Sequence, residues 1–328
     1  MISARGKGHA RSERHAVEAL AARGEHELVV FVREEVELPG VEVFQIDPRL
    51  TLGWELRGLP AAAKRHRLDA FVTLSERLPQ SGSFPIVVWL FESPLHRIRA
   101  NRQSRAPLRH LGSDLVTSAL WRRSLERSSH VAFGSKATRD EVLAEIELSS
   151  TSVVHPGVPP GFGPGPPAHD RGTYVFHLGS NDPRDNTELA VEACRRAGAR
   201  LLVAGGWSGT GAEALGRVSD EELLDLYRGA ATFLDPTRYE GFGYGVLEAM
   251  ACGAPVVASS VTSIPEVVGG AAVLADPQSA DSFADALTRV LGDAALRADM
   301  RARGLERAAS FTWDATGAGL AAALASVL

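Results

Sequence analysis

Apolar residues in the first half of the chain gather in short uninterrupted runs set between amphipathic stretches. The runs Glu27–Val32, Ala70–Leu74 and Ile86–Leu90 are dense in Val, Leu, Ile and Phe and lack strict polar alternation. Strands of a parallel sheet read this way, because helices cover both of its faces. Ser12–Arg23 instead spaces its apolar residues as a helix does. After residue 172 the alternation starts again. It predicts strands at Tyr174–Leu178, Arg200–Ala204, Ala231–Leu234, Pro255–Ala258 and Ala272–Leu274. Helices are expected at Thr187–Ala197, at Asp220–Gly229, from near Gly245, and at Ala280–Leu291, Ala294–Ser310 and Trp313–Leu328. Strand and helix alternating in this way make an α/β chain built from two βαβ series.

The two series are separated by Pro156-Gly157-Val158-Pro159-Pro160-Gly161-Phe162-Gly163-Pro164-Gly165-Pro166-Pro167. Neither a helix nor a strand interior tolerates that density of proline and glycine. With 328 residues, about two domains are expected. The pattern places them at 1–165 and 166–311, with a closing helical segment at 312–328. One irregularity concerns the start. A doubly wound domain normally opens on a buried strand, whereas this chain reaches the turn before its first helix almost at once, so the pattern predicts a few further residues upstream of Met1.

Hydrophobic residues at 45% and charged residues at 23% fit a folded globular chain. A net charge of -5 leaves no footprint for nucleic acid. Cys194 and Cys252 both fall in apolar helical stretches, away from metal or redox spacing. No run approaches the roughly 18 apolar residues of a membrane span, and the basic start has no signal-peptide core behind it, so a cytoplasmic location is expected. One local charge pattern stands out. Arg97, Arg99, Arg102, Arg105 and Arg109 recur with no acidic residue between Glu92 and Asp114. Such a stripe is either a solvated helix face or a peripheral contact with the anionic inner face of a membrane.

The chemistry concentrates in residues 235–258. Gly241, Gly243 and Gly245 allow a sharp turn and close backbone approach to a ligand, and the helix opening at Gly245 offers free N–H groups to phosphate. Glu240, placed at the end of the strand, and Glu248, in the first turns of the helix, can then share one crevice at the carboxyl ends of the strands. A carboxylate accepts from two adjacent hydroxyls at once, which suits the vicinal diols of a sugar or ribose. A capping glutamate and a solvated loop residue are the ordinary alternative.

This stretch, together with Gly216–Leu223, Tyr227, Ser263-Ile264-Pro265-Glu266 and Phe311-Thr312-Trp313, resembles the family-four group of retaining glycosyltransferases. Gly134–Arg139 and Val153–Val158 are similar to the linking region of that family. The resemblance implies two facing Rossmann-like doubly wound domains with an inter-domain cleft, the GT-B architecture. It implies transfer of a hexosyl or deoxyhexosyl group from a nucleoside-diphosphate sugar to a glycan, lipid-linked or small-molecule hydroxyl, with retained configuration. Glu240 then contacts the transferred sugar and Glu248 the ribose. Gly241, Phe242, Gly243 and Tyr244 frame the sugar, Gly245, Val246 and Leu247 lie near the diphosphate, and Arg217 and Val218 contact the nucleobase.

Where the family carries a basic pair after the strand Tyr174–Leu178, this chain reads Gly179-Ser180-Asn181-Asp182-Pro183-Arg184-Asp185. Ser180 and Asp185 stand at the cationic positions. That leaves Arg184 as the candidate to compensate the leaving diphosphate, with a turn-stabilising arginine as the ordinary alternative; Asp182 and Asp185 would repel a phosphate there unless they point away or pair with Arg184. On the acceptor side the candidates are Glu92, His96 and Lys7. No D-x-D pair and no His/Cys cluster has ligand spacing, so no metal or other cofactor is expected. Two other readings remain: a sugar-nucleotide epimerase on the same fold, and a sugar-nucleotide-binding scaffold without turnover.

Overall fold

The computed structural model of the chain describes residues 8–32, 36–45, 57–74, 81–93, 119, 121–166 and 172–328. Its contacts form two compact units, one of Met1–Gly157 with Thr312–Leu328 and one of Val158–Phe311. The proline-glycine cluster straddles the junction.

In the second unit, strands β7 (Val175–Gly179), β8 (Leu201–Gly205), β9 (Glu213–Gly216), β10 (Thr232–Asp235), β11 (Val256–Ser259) and β12 (Val273–Ala275) form one sheet. The spatial order is β12-β11-β10-β7-β8-β9, and every neighbouring pair is parallel. The chain therefore builds outward from β7 on one side, then crosses back to place β10 on the other. That order is the dinucleotide-binding one, and its crevice opens where the winding direction switches, beyond the carboxyl ends of β7 and β10. Val175, Val203, Leu234 and Val257 pack against Ala190, Cys194, Phe283 and Leu287, all at most 2% exposed. Large apolar side chains buried to this degree stabilise by roughly 1.5–3 kcal/mol each.

In the first unit, β1 (Val29–Val32) pairs in parallel with β2 (Glu42–Gln45). Strands β3 (Phe71–Thr73), β4 (Ile86–Leu90), β5 (His130–Phe133) and β6 (Thr151–Val153) form a parallel sheet in that order. All five residues of β4 are buried, and the Trp89 indole N–H donates to the Val154 carbonyl at 2.8 Å. Helix α1 (Gly8–Ala22) packs on the last helix of the chain, Trp313–Ala325, with the His15 and Trp313 ring centroids 5.2 Å apart. A Cβ on Gly317 would lie 2.8 Å from the Ala19 carbonyl oxygen, so only glycine allows these helices to approach so closely. β1 and β3 do not pair with each other. They line a cavity of about 550 Å³ together with Ala16 and Leu20 of α1 and Leu320 and Leu324 of the last helix.

Ile86–Leu90 and Asp220–Gly229 form as the pattern predicts, and the other expected elements form within a few residues of their predicted bounds. β2, β5, β6 and β9, and the helices Leu59–Arg65, Lys136–Leu143 and Ile264–Val268, are not signalled by periodicity. They are short, and several of them carry polar residues whose partners come from distant strands. His130 of β5, for example, is held between the hydroxyls of Ser150 and Ser152, both at 2.8 Å.

Candidate functional site

Backbone, rather than side chain, forms the floor of the switch-point crevice. Gly205 has φ +118°, and a Cβ there would lie 2.2 Å from the Gly179 carbonyl oxygen. The Gly206 N–H donates to that same oxygen at 3.1 Å. β7 and β8 thus end in glycines because their carboxyl ends meet too closely for side chains. Beside them His177 Nδ1 donates to the Leu234 carbonyl at 2.9 Å, tying β7 to β10, and Nε2 accepts from the Thr187 hydroxyl at 3.1 Å. Burial lowers the His177 pKa to about 4, so the ring is neutral and takes the tautomer this bridge needs.

The loop after β7 is bolted to the loop after β10. Asn186, in a left-handed conformation that Asn tolerates, donates through Nδ2 to the carbonyls of Pro236 at 2.9 Å and Pro277 at 3.0 Å. The Arg184 carbonyl accepts from the Arg238 amide at 2.8 Å and from the Thr237 hydroxyl at 3.1 Å. The exposed Arg238 reaches the Pro183 carbonyl at 3.4 Å. It places a second guanidinium beside this loop that sequence reasoning did not single out.

The acids of this loop are engaged. Ser180 Oγ donates to Asp185 at 2.5 Å and accepts the Asp182 amide at 3.0 Å. The Arg184 guanidinium folds back on Asp182, with Nε 3.2 Å from each carboxylate oxygen and Nη2 2.9 Å from Oδ2. The hydrogen bond from Arg184 lowers the Asp182 pKa, while burial raises that of Asp185. At the end of β10, burial pushes the Asp235 carboxyl up to about 6, with the nearby Asp185 charge adding to the shift.

Asp235 yields a prediction with a definite sign. Its pKa is higher in the folded chain than in the unfolded one, so folding takes up a proton between about pH 4 and 6 and stability from this group is lost as pH rises through that window. Asp235→Asn should therefore gain on the parent, by on the order of 2 kcal/mol at neutral pH and little at pH 4. Thermal unfolding of both proteins across pH 4–7 checks this, and a difference that does not grow with pH overturns it.

The glycine-rich loop departs in two details from the expected arrangement. β10 stops at Asp235, so Glu240 sits five residues beyond it in the loop rather than at the strand end. Helix Tyr244–Cys252 opens one residue earlier than expected, with Gly243 as its N-cap at φ 102°, a conformation open to glycine. Glu240 is fixed through its backbone: its N–H donates to Thr262 Oγ1 at 3.1 Å and its carbonyl accepts from Ser263 Oγ at 2.9 Å. Its carboxylate accepts the Gly243 amide at 3.2 Å, which sets it over the helix N-terminus. Its N-cap residue is a glycine and supplies no side-chain cap, and the first turn of the helix includes the amides of Gly245 and Val246. Partial positive charge there favours an anion.

Glu248 lies one helical turn further on and is 6% exposed. It accepts from the buried Tyr227 hydroxyl at 3.2 Å. Tyr227 is wedged edge-on between Phe176 and Phe233, ring centroids 5.2 Å from each, which fixes the hydroxyl and so orients the carboxylate. Burial first, and the Glu248 charge next, hold the Tyr227 pKa well above its ordinary value, so it serves as a donor. Phe242 is buried and packs edge-on against Tyr244 and Phe311, with centroids at 5.2 and 5.9 Å.

One unit therefore brings together Gly179, Ser180, Arg184 and the whole stretch from Glu240 to Glu248. Arg217 and Val218 follow β9 and precede Ser219, which caps helix Asp220–Gly229 through a reciprocal capping box with Glu222. Arg217 is exposed and Val218 half-buried. In the first unit Glu92 follows β4, half-buried between the buried Phe91 and Ser93, and the Phe91 carbonyl accepts from Thr138 Oγ1 at 3.0 Å. His96, Lys7 and the arginine stripe 97–109 lie outside the described residues. Sequence reasoning missed the roles of His177, Asn186 and Thr262, and of Tyr227 as the group that orients Glu248. Asn186, an asparagine directly before a helix, left a local trace, though its side chain bridges two loops and does not cap the helix, and Tyr227 stood out only through the family resemblance. Among the described residues no group of three His, Cys, Asp or Glu is arranged to hold a metal, and no helix is long and apolar enough to cross a membrane.

The fold defines the second unit as a Rossmann-like domain whose switch point is lined by the loop after β7 and the glycine-rich loop after β10. Residues 173–293 match the family described as glycosyl transferases group 1. O-antigen chain mannosyltransferase B of Escherichia coli is 39% identical over 162 residues, 43% of this chain and 42% of that protein. The chain thus matches less than half the length of that relative. Sucrose-phosphate synthase from Thermosynechococcus elongatus has the same fold, with a TM-score of 0.77 at 22% identity over 98% of this chain and 94% of that one. HepE from Anabaena, solved in complex with UDP-glucose, gives a TM-score of 0.74 at 17% identity over 99% and 98% of the two chains. The fold these likenesses share is the GT-B one, built of two Rossmann-like domains.

Proposed function

We propose that this protein is a glycosyltransferase that moves a hexosyl or deoxyhexosyl group from a nucleoside-diphosphate sugar to a hydroxyl, with retention of configuration and without a metal. The observation that supports it most is the seat of the Glu240 carboxylate on the Gly243 amide, at a helix N-terminus whose N-cap is a glycine and one helical turn from the oriented Glu248 carboxylate. Phosphate suits that terminus, and carboxylates beside it suit sugar and ribose hydroxyls. Glu240 takes the transferred sugar, Glu248 the ribose, and Arg184 the charge that develops on the leaving diphosphate. Arg217 and Val218 take the base. The first unit, through Glu92, His96 and Lys7, takes the acceptor. The acceptor is a glycan, a lipid-linked sugar or a small molecule, and the protein works in the cytoplasm with peripheral contact to the inner membrane.

A second reading, a sugar-nucleotide-binding scaffold without turnover, is favoured by one observation: Arg184 is ion-paired to Asp182, and Ser180 and Asp185 occupy the positions where cations were expected. Purified protein offered UDP-, GDP-, dTDP- and ADP-sugars decides between the two. At least one donor should bind and slowly release free nucleotide. Binding without release under any acceptor tried would support the scaffold, and no binding at all would sink both readings.

A further inference from the structure

The inference that follows rests on Arg184 meeting the donor diphosphate. Asp182 is fixed before any ligand arrives: its amide donates to Ser180 Oγ at 3.0 Å, and its Oδ1 accepts the Arg184 amide at 2.9 Å. The carboxylate therefore stands where the guanidinium must fold back on it, and Nε and Nη2 of the arginine fork are already engaged. Side-chain exposures of 36% and 38% leave the pair open to an entering anion. A phosphate approaching Arg184 thus meets an ion pair, not an isolated cation, and the Nε–Nη2 edge, one of the two that can grip phosphate bidentately, is the one Asp182 holds.

We propose that Asp182 is a positioning residue that sets donor affinity: it holds the Arg184 guanidinium as an ion pair, and the diphosphate gains the Nε–Nη2 edge of that guanidinium, and its uncompensated charge, only in exchange for the Asp182 carboxylate. Asp182→Asn keeps the shape and the turn but removes the competing charge. A unit charge a few ångströms away at a half-exposed site changes anion affinity by roughly five- to tenfold. Inorganic pyrophosphate and UDP, titrated by calorimetry, read it directly. Asp182→Asn should bind both about five- to tenfold more tightly than the parent, and Asp182→Glu, which keeps the charge, should bind them as the parent does.

Arg184→Ala should weaken both ligands by about tenfold, and adding Asp182→Asn to it should bring no gain. Unchanged affinity in Asp182→Asn, with a clear loss in Arg184→Ala, overturns the exchange alone and leaves the arginine in its assigned role. A gain that persists in the double variant also overturns it, because Asp182 would then repel phosphate directly. If Arg184→Ala binds as the parent does, the assignment of Arg184 fails and the exchange with it. Circular dichroism and melting of each variant separate misfolding from these outcomes, with Asp182→Ser as the substitute should the Asn variant not fold.

Discussion

Glu240→Gln should lower turnover by roughly a hundred- to a thousandfold while changing donor binding only a few-fold. The amide is isosteric, and its carbonyl oxygen can still accept the Gly243 N–H that now meets Oε1 at 3.2 Å. The Thr262 and Ser263 bonds to the Glu240 backbone are untouched. Only the negative charge is lost. A charge held over a reacting sugar matters most when positive character develops there, so the loss should fall on kcat rather than on binding. Nucleotide release from whichever donor proves active, measured at saturation, reads it. Unchanged kcat would mean that Glu240 does not act at the reacting centre.

Glu248→Ala should act on affinity instead. A hydrogen bond between a carboxylate and a ribose hydroxyl contributes about 1.5–3 kcal/mol, so losing even one should weaken nucleotide binding by roughly 10- to 150-fold with a smaller effect on turnover of bound donor. The variant also strips the acceptor from the buried Tyr227 hydroxyl, which should cost on the order of 1–3 kcal/mol of stability. Tyr227→Phe separates the two effects, because it keeps the carboxylate and removes only its orienting donor. Its binding should fall between that of the parent and that of Glu248→Ala. Calorimetry with the free nucleoside diphosphate, alongside thermal unfolding, measures both quantities. Full affinity in Glu248→Ala would remove Glu248 from the ribose site.

These two variants probe a constellation that one continuous stretch supplies. Glu240, the glycines 241, 243 and 245, and Glu248 sit within nine consecutive residues, so local geometry alone carries them to the same helix start. What orients them arrives from elsewhere in the chain. Thr262 and Ser263 hold Glu240 from the segment after β11, and Tyr227 holds Glu248 from the preceding helix. None of these partners shows in periodicity, because a hydroxyl aimed at a distant backbone atom leaves no repeat along the chain.

The sequence alone determined the α/β alternation, the restart beyond the proline-glycine cluster, and the clustering of glycines and carboxylates between 240 and 248. Each of these depends on residues close in the chain: runs of buried apolar side chains, ring and backbone restrictions, a helix start. Tertiary structure decided the strand order that opens a crevice beyond β7 and β10, the glycine contact between Gly179 and Gly205, and the fate of the Arg184 charge. In the sequence Arg184 is either a cation for phosphate or a partner for the acids beside it, and the fold pairs it with Asp182, since Ser180 fixes the turn that brings the carboxylate to the guanidinium. Charge pairing depends on distances of a few ångströms, and only the folded backbone sets those.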